Sequence, residues 1–168
     1  MVADVAKAAT TPASKGKPVY QNPDDLALVL LDKPAPPGTA FMALPKALPA
    51  TRSVRAVGYG ATSDLRRGSG SKQIGFDQVL RTTSVPVSSA TDSLLTIDQT
   101  TGTGICTGDS GGPAFIAAGK GFTVVGIMIG VASPKTNDDY CRGSAYFVSL
   151  PRWTSWIESA AAAFKQRL

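Results

Sequence analysis

The 168 residues contain no histidine. Its absence removes the side chain that most often serves as a general base near neutral pH, and with it the commonest protein ligand of transition metals. Only Cys106 and Cys141 represent cysteine, so a zinc-type Cys/His set cannot be assembled, and no metal or cofactor is expected. Asp138-Asp139 reads as a solvated acidic turn rather than a calcium site. Long apolar runs are lacking too. The longest, Phe122 to Ala132, is interrupted by Gly126 and Gly130 and falls short of the ~20 residues that a transmembrane helix needs. Met1 to Lys17 scatters Val and Ala among Thr, Ser, Pro and Lys. It has no apolar stretch of the roughly 7–15 residues that mark a signal peptide, so no export signal is expected within it.

Clustered charge is also missing. The net charge is +5, but Arg52, Arg55, Arg66, Arg67, Lys72, Lys165 and Arg167 are scattered and no aromatics interleave with them, which argues against a nucleic-acid surface. Gly68, Gly70 and Lys72 lack the spacing of a phosphate-binding loop.

What the chain does have is glycine and proline, 17 and 12 residues, with 43% hydrophobic and 17% charged content. Short apolar segments broken by turn residues describe a globular all-β domain with a buried core. Such domains commonly run to roughly 200–250 residues, so this chain is expected to be part of one. Residues 1–21 show no periodicity, apart from Pro18-Val19-Tyr20 as a possible short strand. Leu26 to Leu31 is an unbroken apolar run of strand length, expected to be buried on both faces. The prolines at 34, 36, 37, 45 and 49 make the segment to about residue 50 a connector. Six strand candidates follow: Ser53–Gly60, Gln78–Val87, Leu94–Asp98, Pro113–Ala117, Phe122–Ile129 and Ser144–Leu150, enough for a small barrel. Ala61 to Gly75 reads as one long Gly/Ser/Arg-rich loop. At the end, Trp153, Trp156, Ile157, Ala160, Ala161 and Phe164 fall on one helical face, with Pro151 in the first turn.

Cys106-Thr107-Gly108-Asp109-Ser110-Gly111-Gly112-Pro113 carries the chemistry. Glycines around a single serine leave its hydroxyl exposed and let the N–H groups of Gly108 and Ser110 converge on one point, as an oxyanion hole requires. Taken alone the segment is equally a polar turn between strands, and Asp24-Asp25 is equally strand-end turn chemistry.

Five blocks in order change that balance. Asp25-Leu26-Ala27-Leu28-Val29, Val57-Gly58-Tyr59-Gly60, Cys106 to Pro113, Val125-Gly126-Ile127 and Trp153 to Ile157 together resemble the chymotrypsin/trypsin-like serine peptidases, over residues 19–160. The resemblance implies a double β-barrel with a C-terminal helix. Residues 1–50 then correspond to a remnant of the first barrel plus the connector, and 51–168 to a complete second barrel with the helix. It further implies Ser110 as nucleophile, Asp25 as the acid orienting the general base, Gly108 and Ser110 as the oxyanion hole, and Asp109 as a supporting buried carboxylate. Cys106 and Cys141 match the family's disulfide beside the nucleophile, with two free thiols as the alternative. A bond there implies a secreted, extracellular or periplasmic setting.

The departure from the family is the missing histidine. The resemblance puts it before the aspartate, in strands for which too few residues precede Asp25, so the chain is expected to be the C-terminal portion of a peptidase domain, inactive alone. Its partners are then a polypeptide substrate and a segment or chain completing the first barrel. The alternative is a non-catalytic homologue acting as a binding or regulatory module. Gly104 falls at the base of the family's specificity pocket and Ile129-Gly130-Val131 along its wall, so no carboxylate selects Arg or Lys. Small or apolar side chains are expected instead.

Overall fold

The computed structural model describes residues 5–11, 21–48, 50, 52–66, 72–119, 121–132 and 139–165. Two antiparallel strands, β1 (Val5–Thr10) and β2 (Ala27–Leu31), form a small sheet, with Thr10 opposite Ala27 and Val5 opposite Leu31. Eight more strands follow: β3 (Ser53–Gly58), β4 (Asp64–Arg66), β5 (Lys72–Ile74), β6 (Arg81–Ala90), β7 (Leu94–Asp98), β8 (Pro113–Ala118), β9 (Gly121–Ala132) and β10 (Ser144–Ser149). Six of them close into a barrel in the order β10-β7-β6-β3-β8-β9. The architecture is that of a chymotrypsin-like fold with its second barrel complete and its first partial.

Period-two patterning explains the barrel. β3 buries Val54 and Ala56 and exposes Ser53 and Arg55, while β7 buries Leu95 and Ile97. These side chains meet Val85, Ala114, Val125, Met128, Ala145 and Phe147 in one core, since alternate residues of a strand face the same side. Register shifts in β6, β8 and β10, at Val87/Ser89, Ala114/Phe115 and Tyr146/Phe147, bend the strands where the sheet curls on itself. Closure removes the edges that an open sheet would present.

Three expectations are corrected. Residues 1–21 are not wholly irregular, because Val5–Thr10 forms β1. Its sequence, Val-Ala-Lys-Ala-Ala-Thr, has no alternation, and the strand exists through its ladder to β2. Leu26 to Leu31 is not buried on both faces. Leu28 and Leu30 are half-buried, whereas Val29 and Leu31 are 49% and 43% exposed, because a two-stranded sheet has one face to cover rather than two. The segment Ala61 to Gly75 contains the short hairpin β4–β5. Pro18 to Tyr20 lie outside the described residues.

The connector clasps the barrel instead of leaving it. The Val124 N–H donates to the Ala43 carbonyl at 3.1 Å, and Leu48 packs on the core. A 3-10 turn at Leu150–Trp153 leads into α1 (Thr154–Ala163), which buries Ile157, Ala160 and Ala161 as its period predicts. The Trp153 indole N–H donates to the Pro23 carbonyl at 3.2 Å. Arg152 lies 3.5 Å from Asp24 and donates to the Ser93 hydroxyl at 2.6 Å. The 3-10 turn before α1 thus fixes the chain just before Asp25.

Phe147 is fully buried at the barrel centre. Phe147→Ala should lower the unfolding free energy by about 3–5 kcal/mol, read from urea denaturation. A loss below about 1 kcal/mol would mean that the side chain is not in a packed core.

Candidate active site

The loop between β7 and β8 is built around one carboxylate. Asp109 turns inward and accepts from the Gly60 N–H at 2.8 Å and the Cys106 N–H at 2.8 Å. Gly60 follows β3, so the carboxylate ties the end of a barrel strand to the start of the serine loop. Hydrogen bonds to a charged acceptor are roughly twice as strong as neutral ones. Cys106 is also bonded to Cys141, 35 residues away, with 4.7 Å between their Cα atoms. In the chain-entropy view, closing a loop of that size contributes about 3–4 kcal/mol.

Around these anchors the backbone donors divide into two sets. The Asp109 N–H donates to the Cys106 carbonyl at 3.1 Å, the Gly111 N–H to Met128 at 2.8 Å, and the Gly112 N–H to Asp109 at 2.9 Å. Among the described residues the N–H groups of Gly108 and Ser110 donate to no protein acceptor. Gly108 has φ +95°, a conformation that glycine adopts without strain, and a Cβ there would meet the Phe76 ring at 2.8 Å. Phe76 sits beside Asp77, whose carboxylate is paired with Arg81, one of the two hydrogen bonds measuring 2.6 Å. The Arg81 guanidinium holds the Asp77 carboxyl down at about 2.

A second polar network braces the far side of the loop. The Thr107 hydroxyl donates to the fully buried Asp64 carboxylate. Asp139 accepts from the Asp64 N–H at 2.8 Å and from the Cys141 N–H at 3.0 Å. The Ala61 N–H closes the arrangement on the Thr107 carbonyl at 2.8 Å.

Ser110 itself is exposed. It shares an open cavity of about 670 Å³ with Asp25, among the apolar side chains of Leu28, Leu44, Ile127, Ile129 and Trp156. The adjacent acid is engaged elsewhere, since Asp24 is the partner of Arg152. Asp25 is therefore the carboxylate that this cavity receives.

The remaining expected pocket residues are divided. Ile129 lines the cavity of Ser110, but Gly130 and Val131 do not, and Val131 packs on the barrel core. Gly104 lines a second cavity of about 350 Å³, with Gly60, Asp109, Asp139 and Arg142, which shares no lining residue with the first. Asp138 lies outside the described residues.

Sequence reading missed Gln99. Fully buried at the end of β7, it donates to the Ile105 and Cys141 carbonyls at 3.0 and 3.1 Å and accepts from the Ile105 N–H at 2.7 Å. A Cβ on Gly104 would lie 2.3 Å from its Cδ, so the amide occupies the space that a side chain at position 104 would need. Nothing in Asp98-Gln99-Thr100 separates this residue from ordinary turn polarity.

Asp109→Ala leaves the Gly60 and Cys106 donors without their acceptor. It should destabilise the protein by about 2–4 kcal/mol, measured by chemical denaturation, with the Cys106–Cys141 bond intact by mass spectrometry. A change within about 0.5 kcal/mol would show that the carboxylate does not hold the loop.

A family model described as Trypsin matches residues 3–157. No curated protein matches. Among solved structures the chain is similar to neuropsin, a serine protease expressed in the limbic system of mouse brain, with a TM-score of 0.72 at 20% identity over 94% of this chain and 71% of that one. Identity that low speaks for the fold alone. The sequence model, which spans the barrel, the serine loop and the first turn of the helix, settles the lineage: the chain belongs to the trypsin family.

Proposed function

We propose that this chain carries the nucleophile of a serine endopeptidase acting on polypeptides. Ser110 attacks the scissile carbonyl, the N–H groups of Gly108 and Ser110 receive the developing oxyanion, and Asp25 orients an imidazole supplied from outside these 168 residues. The observation that carries the reading is the division of amides within 108–112. Donors at 109, 111 and 112 are committed inward, and those at 108 and 110 remain for a ligand. Preorganised donors of that kind stabilise charge that appears only in the transition state.

One source of the base is a polypeptide that docks beside Asp25. β2 pairs only with β1 among the described strands, and Val29, Leu31, Phe41 and Met42 expose apolar surface nearby in sequence. A strand added there would cover that surface and extend the first barrel. The Cys106–Cys141 bond suits a secreted, oxidising setting. Position 104 itself brings no carboxylate, and the cavity that holds Ser110 is walled mainly by apolar side chains, which favours cleavage after small or apolar residues.

One fact favours a second reading, a binding or regulatory module: the chain has no histidine, and among the described residues no lysine lines the cavity of Ser110. Activity separates the two. The chain alone should turn over peptides about six orders of magnitude more slowly than a complete triad. Expressed together with an upstream in-frame segment that supplies a histidine, it should gain peptidase activity that Ser110→Ala abolishes, and library profiling should show little cleavage after Arg or Lys. Failure of the histidine-supplying form to react with a fluorophosphonate at Ser110 would favour the binding module.

A further inference from the structure

The cavity shared by Asp25 and Ser110 has an unusual make-up for a site of acid–base chemistry. Among the described residues Asp25 is the only charged one on its wall. Arg152, which pairs with the neighbouring acid Asp24, also donates to the Ser93 hydroxyl. A hydroxyl and a carboxylate thus share a largely apolar space of about 670 Å³, and among the described residues no other titratable side chain lines it.

Resting on the assignment of Ser110 as nucleophile, we infer that this cavity accepts the imidazole of a histidine carried by the substrate, so that the chain acts preferentially on peptides bringing their own base. The ring's apolar faces suit Leu28, Leu44 and Ile129, and its two nitrogens match the two polar groups. Nδ1–H donates to Asp25, which leaves the neutral Nε2 to accept from Ser110. An ammonium or guanidinium would also complement Asp25 electrostatically, but neither holds a free lone pair near neutral pH. An imidazole does, because its ordinary pKa of about 6.5 lies close to that range.

The reaction balances without another reagent. Nε2 takes the Ser110 proton as Oγ bonds to the carbonyl carbon, and the carbonyl π electrons move to oxygen, facing the Gly108 and Ser110 N–H groups. Collapse of this intermediate breaks the C–N bond, and the imidazolium returns its proton to the leaving amine. Water then attacks the acyl-serine, giving its proton to Nε2. The same proton passes to Oγ as the acid is released. Because the amine-side product departs after the first half, only a histidine on the acyl side remains for the second. Position therefore matters: an acyl-side histidine supports turnover, whereas one on the leaving side supports a single acylation.

The test compares three peptides that differ only in an acyl-side His, a leaving-side His, or Gln at both positions. With the chain alone, the acyl-side peptide should turn over about 100-fold faster than the Gln peptide. The leaving-side peptide should give one equivalent of amine and stop. The gain should vanish in Ser110→Ala, shrink in Asp25→Asn, and fall away as pH drops through the imidazole range. Saturable acceleration of the Gln peptide by free imidazole, lost in Asp25→Asn, would show that the site takes imidazole from either source. Equal rates for all three peptides, or an imidazole effect that is linear and independent of Asp25, would overturn the inference. A fluorophosphonate distinguishes the failures. If Ser110 is labelled in the histidine-supplying form but the peptides do not differ, only this inference falls; if it is labelled in no form, the nucleophile assignment falls with it.

Discussion

Two short hydrogen bonds from the Gly60 and Cys106 amides to one carboxylate set the shape of everything around Ser110. Asp109 is flanked by residues whose side chains point elsewhere or do not exist, so its inward turn forces the backbone at 108 and 110 outward. Met128 locks that arrangement from β9, donating to Gly112 at 2.8 Å while accepting from Gly111 at 2.8 Å. The Cys106–Cys141 bond and the Gln99 amide pull the same loop toward the segment before β10. These constraints come from separate parts of the barrel, so the loop's conformation is over-determined.

The 3-10 turn that leads into the helix does equivalent work for the acid. Trp153 and Arg152 hold Pro23 and Asp24 from the far end of the chain, which commits one of two neighbouring carboxylates to an ion pair and leaves the other at the cavity. The separation is physical rather than positional. A carboxylate bound to a guanidinium is a poor partner for a second cation, whereas an unpaired one beside apolar walls attracts a donor.

Much of this was legible in the sequence for a definite reason. The barrel strands alternate apolar and polar residues, and the alternation survives because one face is always packed, as Val54/Arg55/Ala56 and Leu95/Thr96/Ile97 show. The serine loop stood out only beside the other four blocks, since a segment rich in permissive glycines is on its own equally a polar turn. β1 was not legible, since its pairing with β2 is tertiary and Val-Ala-Lys-Ala-Ala-Thr has no period of its own. The exposure of Val29 and Leu31 was hidden because an apolar run does not disclose how many layers cover it. Gln99 was hidden because burial of a single amide depends on the carbonyls of Ile105 and Cys141, which only the closed fold brings to it.

The account stands on the claim that the serine loop presents two uncommitted amides while its neighbours are bonded. Residue-resolved amide hydrogen exchange on the chain measures this without requiring activity. The account predicts strong protection at Gly60, Cys106, Asp109, Gly111 and Gly112, with Gly108 and Ser110 exchanging near the rate of an unstructured peptide. Protection of Gly108 and Ser110 equal to that of Asp109 would contradict it, because the loop would then have turned those donors inward and no oxyanion hole would exist.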